Sequence, residues 1–241
     1  MENKQPTYGN GKICYIEIPA IDITASAKFY ETIFGWTIRI RSDGSVAFDD
    51  GITEVSGTWV LGRKPSNEQG LVLSIMIDDI EETIKALEAN GSKIVNRINM
   101  GDTEFIAWFT DPAANVIGLY QHPGGGHGKI CYLEIPADDI GLSARFYEAV
   151  FDWPLRDKGT ENIAFDDGVG VVSGMWTLGR KPSPEPGLLI YVMMDSVAET
   201  MGKVIANGGK IVQPIGMDAP EITARFSDPF GNVLGLYQNP V

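Results

Sequence analysis

Apolar and polar residues alternate over "KICYIEI" (residues 12–18), as a half-buried strand requires, and then recur at helical spacing through "DITASAKFYETIFG". Asp22 supplies an N-cap for that helix and Gly35 a stop. Strand-like "WTIRIR", "SVAFDD" and "SGTWVLG" follow, up to the turn-rich "RKPSNEQG". The order then begins again: strand "LVLSIMID", helix "DIEETIKALEANG", and strands "KIVNRI", "EFIAWFT" and "NVIGLYQ". The second helix opens with a capping box, Asp79 with Glu82, and ends at Asn90-Gly91. The pattern therefore predicts βαβββ, written twice.

The whole unit is itself repeated. "GKICYIEIPA" begins at Gly11 and "GKICYLEIPA" at Gly128, a shift of 128 − 11 = 117 that holds without a gap to the end. Trp36 pairs with Trp153, "LGRKPS" at Leu61 with Leu178, and more than half of the aligned positions are identical. Solenoid repeats run about 20–50 residues, so this is a tandem duplication of one large unit. Glycine-rich "HPGGGHG" joins the copies. The expected organisation is a loose arm over 1–10, a first domain over 11–121, a linker over 122–127 and a second domain over 128–241.

A strand, a helix ending "FYETIFGW" or "FYEAVFDW", and "DPFGNV" before the last strand, all in a doubled βαβββ order, resemble the vicinal oxygen chelate superfamily. That group includes glyoxalase I, extradiol dioxygenases, and bleomycin and fosfomycin resistance proteins. The resemblance implies an α+β fold of two tandem domains, each a pair of βαβββ modules forming a cupped mixed sheet with the helices outside, around a small-molecule pocket. In metal-using members, His, Gln or Glu side chains converge from the first, fourth, fifth and last strands. Carried onto this chain, the first-strand position is Ile13 or Ile130, the fifth Val72 or Leu189, and the last Gly118 or Gly235. None can ligate a metal, so the expectation is no cofactor of the usual kind.

Glycine weakens a strand, so Gly118 and Gly235 mark either a place where a ligand approaches the backbone or one where the sheet bends or an aromatic neighbour intrudes. If Ile13 faces inward, alternation puts Tyr15 and Glu17 on its face, and Tyr132 and Glu134 in the second copy. Glu17 and Glu134 are the candidate catalytic bases, since a carboxylate in an apolar hollow is costly unless paired and its pKa tends to rise; the alternative is a Glu at the sheet rim bonded to a neighbouring strand or the partner domain. Ser74 and Trp108 in one copy, Tyr191 and Arg225 in the other, and Tyr120 and Tyr237 complete a candidate ligand-binding wall of aromatic, weakly polar character. Arg225 could hold an anion that Trp108 could not. Which face Trp59 and Trp176 take is left open. Ala113-Ala114 replaces Phe230-Gly231, so the first copy must either use another turn or accept strain.

Other chemistry has little support. The only histidines, His122 and His127, flank the linker, where mobile donors fix no metal geometry. Asp49-Asp50 and Asp166-Asp167, each followed by glycine, read as hairpin turns rather than cation sites. Cys14 and Cys131 read as buried free thiols. The formal charge of −13, from 32 acidic and 19 basic residues, disfavours nucleic acid and anionic membranes. With no signal-like or spanning segment, the expected location is cytoplasmic. Three functions follow: a metal-free binder of a small aromatic or cationic molecule; a glyoxalase-like lyase, isomerase or dioxygenase-like enzyme using an inward Glu or an atypical metal; or a non-catalytic scaffold. The expected partner beyond the ligand is either a second copy of the chain or an intramolecular pairing of the halves.

Overall fold

A computed structural model of the chain describes residues 5–99, 103–183 and 187–238. The first four residues of the expected arm and the last three of the second domain lie outside that range. In chain order the elements are β1 (Lys12–Ala20), α1 (Ile23–Phe34), β2 (Thr37–Ile40), β3 (Val46–Asp49), β4 (Ser56–Leu61), β5 (Val72–Ile77), α2 (Ile80–Ala89), β6 (Lys93–Asn99), β7 (Phe105–Thr110) and β8 (Val116–Gln121). The second copy gives β9 (Ile130–Pro136), α3 (Ile140–Phe151), β10 (Leu155–Arg156), β11 (Ala164–Asp166), β12 (Ser173–Thr177), β13 (Leu189–Met194), α4 (Val197–Ala206), β14 (Lys210–Gln213), β15 (Thr223–Ser227) and β16 (Val233–Gln238). The βαβββ unit thus occurs four times.

The helix boundaries follow from local chemistry. Asp22 caps α1 by accepting from the N–H of Ala25 at 3.0 Å, and Asp79 caps α2 through the N–H of Glu82 at 2.9 Å. Helix α1 ends where Gly35 turns left-handed at φ 65°, and its counterpart Asp152 does the same at φ 57° after α3.

The strands form two mixed eight-stranded sheets, ordered β14-β15-β16-β13-β1-β4-β3-β2 and β10-β11-β12-β9-β5-β8-β7-β6. The α+β class and the four modules are as expected, but the pairing is not one half per sheet. The first and fourth modules share one sheet and the second and third share the other. The reason lies in the segments before β1 and β9. Gly128 donates to the carbonyl of Met76 and Met76 to that of Lys129, both at 2.8 Å, which sets the start of β9 along β5. Asp50 Oδ2 and Trp36 Nε1 hold the same segment, through Ile130 N at 2.9 Å and Gly128 O at 2.8 Å. Gly11 repeats this beside β13, donating to Met193 O at 2.8 Å, while Trp153 Nε1 donates to Gly11 O and Ile13 N to Asp167 Oδ2. Residues 9–11, expected to belong to or adjoin a loose arm, therefore fold as their repeats at 126–128 do, with Lys12 N donating to Gly9 O as Lys129 N does to Gly126 O.

By compactness the chain divides into two units. Among the described residues, one comprises 5–6, 16–67 and 72–132; the other comprises 7–15, 68–71 and 133–238. In the first, Tyr30 of α1 stacks on Trp36 (4.5 Å between ring centroids), Trp36 on Phe48 (4.4 Å), and Phe48 meets Trp59 at 4.8 Å. In the second, Tyr147, Trp153, Phe165 and Trp176 repeat the ladder. Each such ring pair adds about 0.5–1.5 kcal/mol beyond its buried area. Trp59 and Trp176 are therefore core residues on the helix side of their sheets, which settles the face that alternation left open.

The "DP" turns tie the last strands to the helices. Asp111 Oδ1 accepts from the N–H groups of Ala113 and Asn115, and Oδ2 from the Tyr30 hydroxyl (3.0 Å) and Asn115 Nδ2 (2.8 Å). Asp228 does the same with Tyr147 and Asn232. Gly231 in this turn sits at φ 93° and Ala114 at φ 65°. The first copy keeps the turn and accepts the strain.

Candidate functional site

In the unit containing 7–15 and 133–238, four of the expected ligand-binding residues converge. Tyr15 on β1 meets Tyr191 on β13 edge to face, with ring centroids 6.0 Å apart. Arg225 on β15 donates to the Tyr191 hydroxyl through Nε at 3.1 Å and Nη2 at 2.9 Å. Gly235 on β16 lies in register with both Tyr191 and Arg225. A Cβ on Gly235 would stand 2.2 Å from Tyr191 Cδ1, so the tyrosine ring takes the space that the glycine leaves. Tyr237, two residues on, is half-buried, and burial with the nearby Glu221 carboxylate pushes its hydroxyl up to about 12. Glu134 on β9 accepts from the Thr177 hydroxyl at 3.5 Å. Arg180 donates to the carbonyls of Gly70 (2.6 Å) and Gln69 (3.0 Å), and burial holds its guanidinium below its ordinary value.

The unit containing 16–67 and 72–132 is built from other side chains at the matching positions. Gly118 on β8 is in register with Ser74 on β5 and Trp108 on β7. A Cβ there would lie 2.1 Å from Ser74 Oγ, so this glycine accommodates a hydroxyl rather than a ring. Tyr120 has its hydroxyl pKa raised, first by burial and then by Glu104, and its ring is 6.0 Å from that of His122. Tyr132 is half-buried on β9. Glu17 on β1 receives a hydrogen bond from Arg63 Nη2. Arg63 was not singled out in the sequence; the only available signal was its place in the repeated "LGRKPS".

The linker histidines are hydrogen-bonded or paired rather than loose. His127 Nε2 lies 3.2 Å from Ile33 O, and His122 Nε2 lies 3.3 Å from Glu104 Oε1. His122 also lines a cavity of about 260 Å³ with Asp78, Thr103, Gln121, Pro123, Gly124 and Gly125. None of the expected ligand-binding residues lines it.

The acidic pairs are structural. Asp50 Oδ1 accepts from the N–H groups of Glu54 and Val55, and Asp49 is held by Arg39 and Ser56. Cys14 and Cys131 are free thiols whose pKa burial pushes up to about 12, and they donate to the carbonyls of Tyr191 and Ser74. Ile13, Ile130, Val72 and Leu189 are all buried, and with Gly118 and Gly235 they offer no side-chain donor to a metal. Among the described residues, no three His, Cys, Asp or Glu side chains gather where they could hold one.

A paired βαβββ architecture with mixed sheets defines a class, and sequence comparison places the chain within it. The model of the Glyoxalase/Bleomycin resistance protein/Dioxygenase superfamily matches residues 12–119 and 129–236, and the chain belongs to that superfamily. Among relatives, the Mycobacterium tuberculosis protein CFP32, whose name carries a provisional glyoxylase description, is 24% identical over 97% of each chain. The anthracycline biosynthesis protein DnrV of Streptomyces peucetius is 22% identical, covering 85% of this chain and 84% of its own. Glyoxalase I from Zea mays superimposes with a TM-score of 0.75 at 18% identity, over 94% of this chain and 92% of the maize one, which shows the shared fold. Among the described residues no helix is long and apolar enough to cross a membrane.

Proposed function

We propose that the chain binds small aromatic molecules on the sheet faces opposite the tryptophan ladders, without the metal that many relatives use. The observation that carries this reading is the convergence of Tyr15, Tyr191 and Arg225 beside Gly235, an aromatic surface with a fixed cationic donor. Aromatic walls with a few placed polar groups are the usual lining of a small-molecule site. The relatives named for anthracycline biosynthesis support an aromatic ligand class. Hydrophobic or absent side chains at Ile13, Val72, Leu189 and Gly235 support metal independence. Ser74, Trp108, Tyr120 and Tyr132 make the corresponding wall of the other unit, and its different chemistry favours a different ligand preference. Glu17 is set aside as a general base because Arg63 engages its carboxylate.

A thermal-shift screen of aromatic acids, phenols and amines tests this. Binding with ligand at about 100 times its Kd should stabilise the fold by about 2.7 kcal/mol, and Arg225→Met should weaken the response to anionic compounds selectively. No shift with any compound, or a stoichiometric transition metal in the purified protein, sinks the reading.

A further inference from the structure

Arg63 follows β4 in the unit that contains 16–67, and its Nη2 donates to Glu17 Oε2 on β1. Both side chains are largely withdrawn from water, at 16% and 14% exposure. The other terminal nitrogen of the guanidinium, Nη1, is buried and has no acceptor among the described residues. Its repeat counterpart, at 63 + 117 = 180, is placed differently: Arg180 turns its fork to the backbone carbonyls of Gly70 and Gln69. One hexapeptide, "LGRKPS", thus yields one arginine with backbone acceptors and one with a donor left over.

A buried donor with no acceptor carries the full desolvation penalty of that group, and a charged donor carries more. Glu17 already balances the charge of Arg63. What Nη1 lacks is an oxygen acceptor rather than a counter-ion. On a chain of formal charge −13, a neutral oxygen is also easier to recruit than an anion. We propose that Arg63 is a ligand-contacting residue that receives a neutral carbonyl oxygen through Nη1, with Glu17 as the positioning residue that fixes the guanidinium. This deepens the small-molecule reading and rests on it. The ligand class becomes aromatic ketones and related carbonyl compounds.

The test uses two probes of nearly the same shape, acetylnaphthalene and isopropenylnaphthalene, which differ by C=O against C=CH2. The full chain should bind the ketone about tenfold or more tightly than the alkene, as expected for a hydrogen bond to a charged donor. Arg63→Met should bring the two affinities together, and Glu17→Gln should narrow the ratio by loosening the arginine. Should Arg63→Met fail to fold, the unmodified protein still decides: the infrared carbonyl stretch of the ketone must fall on binding. Equal affinities in the unmodified protein, a preference that survives Arg63→Met, an unshifted stretch, or no ketone binding overturns the role of Arg63. Thermal shifts with other aromatic compounds would then leave the broader reading standing, so the two failures are distinguishable.

Discussion

The strand glycines show how one position can serve different neighbours. At Gly235 an added Cβ would press on three ring carbons of Tyr191, between 2.2 and 2.6 Å away, so the ring must shift as a whole and strain its bonds from Arg225. At Gly118 the closest atom is the Ser74 hydroxyl, which can rotate, although Ser74 Cβ at 3.0 Å remains tight. Gly235→Ala should therefore cost about 2–3 kcal/mol and Gly118→Ala about 1 kcal/mol, read from urea unfolding at a constant m value. Equal costs would mean that Tyr191 is not fixed over the strand. Backbone strain gives an opposite pair. Ala114 sits in the left-handed region at φ 65°, where an L residue other than Asn or Asp is disfavoured by about 1–2 kcal/mol. Ala114→Gly should stabilise by about 0.5–1 kcal/mol after the added freedom of the unfolded chain is subtracted, and Asp152→Gly by less, because Asp tolerates that region better. A destabilised Ala114→Gly variant would show that the turn is not strained.

Local elements were the most legible features of the sequence because their causes are local. Asp22, Asp79 and Gly35 cap or stop helices through groups within four residues, so spacing alone reveals them. The "DPxxN" segment reads from sequence as a turn followed by a strand, yet its Asp111 carboxylate also reaches 81 residues back to Tyr30 on α1. Nothing in a short window encodes that contact. Tyr30→Phe should cost about 1–2 kcal/mol, since Asp111 Oδ2 keeps Asn115 as a donor but loses the hydroxyl. Tyr147→Phe should cost a similar amount through Asp228. If both substitutions prove neutral in urea unfolding, the carboxylates do not anchor the helices. The candidate walls around Tyr15, Tyr191, Arg225 and Gly235 followed from strand alternation. Arg63 did not, because identical hexapeptides place two arginines against different partners.

Which modules share a sheet was hidden for a different reason: four near-equivalent βαβββ units present the same strand pattern, and periodicity does not rank their pairings. The choice rests on polar contacts that bind the start of β9 to β5 and the start of β1 to β13, with Asp50 and Asp167 among the anchors. Those two aspartates and Asp111 and Asp228 all have raised pKa values, with burial outweighing the hydrogen bonds that oppose it. Each folded carboxyl thus takes up a proton more readily than its unfolded counterpart, whose ordinary value is 3.8. Their contribution to stability is complete below 3.8 and is lost as pH rises through the raised folded values. Repulsion within a chain of charge −13 acts in the same direction, but salt at about 1 M cuts the screening length to about 3 Å and removes most of it. In such salt, melting temperature should decline as pH rises from 3.8 through the raised folded values, and carboxyl NMR should show these four aspartates titrating above the ordinary range. Melting that instead climbs over the same interval, with the four carboxyls titrating low, would mean that they are held as stabilised anions and that hydrogen bonding, not burial, governs the turns that join the modules.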